Sequence, residues 1–216
     1  MLDAQFILPS TYMSYKNKED FAAFYPFVTY QFKLIMKVLD SFSNMSYVDK
    51  QVKGNERSLL NITFSIAKET AECEVGEFIP FDKFFGAMFQ GSMQHLGQRA
   101  MANAREALNL ITDEEKRAFY RRVVYVLFMV CNLSDSDKQS FSATIDNIVT
   151  LLMTKVDANK ATIKEDVSQV LAFLMDKAVI RKIRTDNGSD IYEFYTEEES
   201  KVAQIIKNQK VDSNTY

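Results

Sequence analysis

Tryptophan is missing from this 216-residue chain, histidine occurs once and cysteine twice. With His95 alone, a histidine-based metal site or a nucleophile–histidine–acid triad would need unusual partners. Cys73 and Cys131 stand far apart, without the short spacing of a metal-binding pair. The expectation is two reduced, buried thiols in a cytoplasmic protein. Six glycines and three prolines are too few for a sandwich or barrel full of tight turns, so helix should dominate. No apolar run approaches the roughly 18 residues of a membrane span, and no membrane contact is expected. The start, MLDAQFILPSTYMS, lacks the basic region and small-residue cleavage site of a signal peptide. The net charge of -3 provides no global attraction to nucleic acid, so any such contact must come from a local patch.

What the chain does contain is helical patterning. The segment up to Lys18 has no clear period and reads as a loop. After Pro26, Phe27, Gln31, Leu34, Ile35, Val38, Leu39 and Phe42 form a helical stripe. SNMSYVDKQVKGNE is a polar connection, and Leu59, Leu60, Ile62, Phe64, Ile66, Ala67 and Ala71 mark a further helix. The run from Met88 to Ile111 reads as one weakly amphipathic helix. Thr112 opens T-D-E-E, a Thr N-cap with Glu115 three residues on, and a domain boundary is expected there. The apolar helix EEKRAFYRRVVYVLFMVCNL follows, closed by the charge-rich turn SDSDKQS.

The last hundred residues have a clear order. SATIDNIVTLLMTKV and ATIKEDVSQVLAFLMDK predict two helices, with Ile145, Ile148, Val149 and Leu152, then Val167, Val170, Leu171 and Leu174, facing inward. VIRKIR and IYEFY around Asn187-Gly188 predict a hairpin. Thr196–Glu199 is a second capping box opening a closing helix. Three helices followed by a hairpin is the order of a winged helix. The expected fold class is therefore mainly α, with a helical domain over 1–111, a winged helix with a small β-hairpin wing over 112–209, and a tail over 210–216.

One residue is electrostatically out of place. In KGNERSLL, Asn55 is a natural N-cap, which puts Arg57 in the first turn, where the helix dipole disfavours a cation by roughly 0.3–1 kcal/mol. An anion held by the helix N-terminus and a forked guanidinium would resolve this. So would an exposed Arg57, or one paired with Asp49 or Glu56. Taken alone, the residues leave both readings open.

Position in the chain weighs on that choice. Gly54, Asn55 and Arg57, between an aromatic-rich helix and a downstream winged helix, resemble the sensor-2 region of AAA+ ATPases, whose arginine reaches from a helical lid to the nucleotide. A wider resemblance covers most of the chain. Tyr25-Pro26-Phe27, Tyr30-Gln31-Phe32, Arg57-Ser58, Asp146-Asn147-Ile148-Val149-Thr150-Leu151 and Thr196-Glu197-Glu198 are similar in order and spacing to the C-terminal part of the BREX phage-defence P-loop ATPases, the BrxC/PglY-like family. Thr29 departs from a proline in that pattern, and Asn55-Glu56 lengthens the Gly-to-Arg spacing by one residue. GxxxxGK[ST] is absent, as is an acidic strand to hold magnesium, so the phosphate cradle is missing. The resemblance thus implies a non-catalytic lid and winged-helix fragment, from a truncated gene or an expressed piece of a longer one. ATP and magnesium are implied for a full-length relative, not for this chain. The partners implied are an ATPase core or other BREX proteins, with oligomerisation through the parent ATPase.

A winged helix also invites a DNA reading, the alternative being a stand-alone DNA-binding regulator. The candidate contacts are Lys160 and Lys164 on the third helix and Lys177, Arg181, Lys182 and Arg184 around the first wing strand. Glu165 and Asp166 interrupt the first group, so only weak, salt-sensitive, non-specific binding is expected. Arg117, Arg121 and Arg122, with Glu114 and Glu115 one turn before, read as ion pairs on an exposed face. The aromatics from Phe24 to Phe32 read as core rather than as a base-stacking platform.

Overall fold

The computed structural model describes residues 15–49, 56–72, 74–89, 91–155, 157–186 and 188–213. Asn17 caps α1 (Lys18–Phe24), its side-chain oxygen accepting from Asp20 N at 2.7 Å. After Pro26 comes α2 (Thr29–Asn44), where Leu34, Ile35, Val38, Leu39 and Phe42 are fully buried, as their 3–4 spacing requires. Gln31 is buried with them because both ends of its amide are used. Its Oε1 accepts from Val28 N at 3.1 Å and its Nε2 donates to Ile79 O at 2.6 Å.

Helix α3 (Glu56–Glu69) forms where expected, but of its apolar side chains only Ile62 and Ile66 are buried, and Ala71 lies beyond its end. The single helix expected from Met88 to Ile111 is instead three pieces: the end of α4 (Asp82–Met88), α5 (His95–Ala100) and α6 (Ala102–Asn109). The break has a local cause. The Ser92 hydroxyl donates back to Met88 O, and Val48 bridges to Met93, so the chain turns before α5. Gly97 then lets α5 approach closely: a Cβ there would lie 2.7 Å from Met93 Cγ and 3.1 Å from Tyr47 Cβ. Gly97→Val should therefore cost about 1–2 kcal/mol by overpacking. The measurement is denaturant unfolding, and an unchanged midpoint would refute the close-approach argument.

Helix α7 (Glu114–Cys131) starts one residue later than predicted. Asp113, not Thr112, is the cap, its carboxylate accepting from Lys116 N at 2.8 Å. A carboxylate at this position also suits the dipole. From Val126 to Cys131 every residue is buried, the signature of a helix enclosed on all sides. The expected charge-rich turn after it is a short helix, α8 (Asp135–Ser140), capped by Ser134.

The C-terminal elements follow the predicted order. Thr144 caps α9 (Ile145–Leu152) and Asn159 caps α10 (Lys160–Asp176), whose Val167, Val170, Leu171 and Leu174 are buried. Strands β1 (Ile180–Arg184) and β2 (Asp190–Phe194) pair antiparallel, with Arg181 opposite Glu193 and Arg184 opposite Asp190. Five residues connect them rather than a two-residue turn, with Gly188 at φ +81°. Asn187 lies outside the described residues. The Thr196–Glu199 capping box is formed in both directions, at 2.9 and 3.2 Å, and opens α11 (Glu197–Ser213). Tyr192 N donates to Ala143 O at 3.1 Å, which ties the segment before α9 to β2.

The fold is thus mainly helical with one small hairpin. Its core runs without a break from Tyr15 to Tyr192. The boundary expected at Thr112 falls in the connection between α6 and α7, and α7 packs on both sides of it. Phe85 stacks on Tyr125 at 4.2 Å, Phe42 meets Phe128 at 5.5 Å, and Phe128 meets Phe194 at 5.3 Å. Among the described residues, no helix is long and apolar enough to cross a membrane.

Candidate functional site

The sensor-like stretch is only partly in view. Gly54 and Asn55 lie outside the described residues, and so does the Arg57 side chain. The backbone of α3 nevertheless starts at Glu56, which puts position 57 in its first turn, as the capping argument requires. Helical spacing sets position 57 on the same face as Leu60 and Phe64, and both of those are exposed.

The six candidate nucleic-acid contacts gather around α9, α10 and the hairpin, and five of them are paired with carboxylates. Lys164 Nζ lies 2.6 Å from Asp146 Oδ1, across from α10 to α9. Lys177 pairs with Asp176 at 3.2 Å and lies over the Phe173 ring. Arg181 bridges two carboxylates, Glu199 at 3.0 Å and Glu193 at 3.3 Å, and lies over the Tyr195 ring. Lys182 and Arg184 share Asp190, at 3.3 and 3.0 Å. The hydrogen bond from Arg184, with Lys182 beside it, holds the Asp190 carboxyl below its usual range. Lys160 is half-buried at the start of α10, and that burial pushes its pKa down. The strand register produces much of this compensation, since Arg181 and Arg184 each face a carboxylate directly across the ladder.

Two features lie beyond what the local patterns showed. Arg122, read as one of three exposed arginines, turns inward and bonds Asp82 Oδ2 at 3.1 Å and Leu152 O at 3.2 Å. Asp82 is 5% exposed, and its other oxygen has no hydrogen-bond partner. The pair ties α4, α7 and the end of α9 together. Arg117 does pair with Glu114, as predicted for that face. The second feature is a charge cluster on α11. Lys201, together with Arg99 of α5, holds the Glu197 carboxyl down at about 2. It links the hairpin end to the N-terminal helices.

No set of three or more His, Cys, Asp or Glu side chains among the described residues is placed to hold a metal ion. Burial pushes the Cys131 thiol up to about 12, which keeps it protonated and unreactive. Cys73 lies outside the described residues. The sequence holds no GxxxxGK[ST] phosphate cradle. No protein-family model matches the chain, and no solved structure matches it.

Proposed function

We propose that this chain is a non-catalytic regulatory and interaction module of a BREX-type P-loop ATPase. In this reading the helices before Thr112 are the AAA+-lid-like part, and α7, α9, α10 and the hairpin are the winged helix. The module couples the nucleotide state of an ATPase core to contacts with other proteins, and Gly54, Asn55 and Arg57 face the nucleotide. The observation that carries the choice of protein over DNA is the pairing of the wing cations with Glu193, Glu199 and Asp190. A phosphate backbone would have to compete with those carboxylates for the same cations. The packing of α9 and α10 on α7, and the bond from Tyr192 N to Ala143 O, support the winged-helix assignment.

Calorimetric titration with Mg-ATP tests the nucleotide part. The chain alone should show no isotherm tighter than about 100 µM, since one arginine and a helix end supply only a fraction of the usual phosphate contacts. With an ATPase core supplied, Arg57→Ala should lower ATP turnover. A stoichiometric micromolar isotherm for the isolated chain would overturn this reading.

A further inference from the structure

We propose that α11 is an arm latched to the body by ion pairs, and that rising ionic strength releases it while the core stays folded. A surface helix ordinarily turns its apolar stripe towards the core. In α11 the arrangement is reversed. Among its described side chains Ser200 alone is buried, while Val202, Ile205 and Ile206 are 54%, 57% and 48% exposed. Helical spacing puts those three on one face and Ser200, Ala203 and Lys207 on the opposite one. The side turned to the body is therefore small or charged, and it gains little from apolar burial.

The bonds that hold the helix are polar. Glu197 pairs with Arg99 of α5 at 2.8 Å, and Glu199 with Arg181 of β1 at 3.0 Å. Further along, Lys207 pairs with Asp176 at the end of α10 and donates to its carbonyl oxygen at 2.7 Å. The Ser200 hydroxyl adds a buried bond to Ala178 O at 2.8 Å. All six charged side chains are partly open to solvent, so dissolved ions reach each pair. The screening length falls from about 10 Å at 0.1 M salt to about 3 Å at 1 M. The apolar core, which runs from Tyr15 to Tyr192 and includes no residue of α11, does not depend on these charges. Salt therefore weakens the attachment of the arm and leaves the body intact. This inference needs neither the nucleotide nor the DNA reading.

Hydrogen exchange of the full chain, followed by mass spectrometry in about 0.1 M and about 1 M sodium chloride, tests the latch. A synthetic peptide of residues 196–213 under the same conditions sets the unprotected limit. Exchange over α11 should rise about tenfold in high salt, towards that limit, while α7 and α10 keep their protection. Arg99→Gln combined with Asp176→Asn removes two partners on the body and leaves the sequence of α11 untouched. That variant should show the faster exchange already in low salt. Both substitutions lie on exposed side chains, so the melting midpoint should stay unchanged. Protection of α11 that ignores both salt and the double variant would overturn the proposal. So would exchange that rises equally in α10, because the helix would then open with the core. Exchange of α11 at the peptide limit in low salt would also overturn it, since nothing would be latched. None of these outcomes alters the Mg-ATP result.

Discussion

Phe128→Ala should destabilise the protein by about 3–5 kcal/mol, the usual cost of removing a fully buried aromatic ring. The ring is 1% exposed and meets four others: Phe42 at 5.5 Å, Tyr47 at 5.7 Å, Phe85 at 6.2 Å and Phe194 at 5.3 Å. These neighbours come from α2, the loop after it, α4 and β2, so the cavity would open where the two halves of the chain meet. A loss of this size lowers the midpoint of a chain this long by about 10 °C. Scanning calorimetry should show one transition, displaced as a whole, because the core is continuous. Two transitions, only one of them displaced, would mean that the halves fold independently.

Arg122→Ala should cost about 2–4 kcal/mol, because it leaves the Asp82 carboxylate buried without its cation. The upper end is tempered by the partial exposure of Arg122, whose side chain is 32% accessible. Two further bonds go with it: the guanidinium no longer donates to Leu152 O, and α4 loses its polar tie to α7. Asp82→Asn in the Arg122→Ala background should recover part of the loss, since the amide carries no charge to desolvate. Urea unfolding of the two single variants and the double variant measures this coupling. Additive losses would show that the pair contributes nothing as a pair.

Features set by local period were legible in the sequence. The α2 stripe, the inward faces of α9 and α10 and the Thr196–Glu199 capping box each depend on residues within a few positions of one another. The hairpin was legible for the same reason, and its register explains why Arg181 and Arg184 face carboxylates. Features set by distant partners were not legible. Leu60 and Phe64 look like core residues until the packing of α3 shows which side is occupied. The break before α5 depends in part on Val48 bridging to Met93, a partner distant in sequence that no helical period reports. Asp82 and Arg122 are forty residues apart, and Arg122 sits in a run of arginines that local spacing reads alike. The start of α7 moved to Asp113 because two adjacent residues were both good caps and the local pattern did not rank them.

The account rests on the hairpin cations being matched within the protein rather than held for phosphate. Titration of fluorescent duplex DNA across a range of salt concentrations tests this most directly. The predicted result is binding weaker than about 10⁻⁵ M at physiological salt, without sequence preference. It should disappear when Arg181, Lys182 and Arg184 are replaced together by alanine. Tight binding to one sequence at physiological salt, lost in that triple variant, would contradict the account and make the chain a DNA-binding regulator.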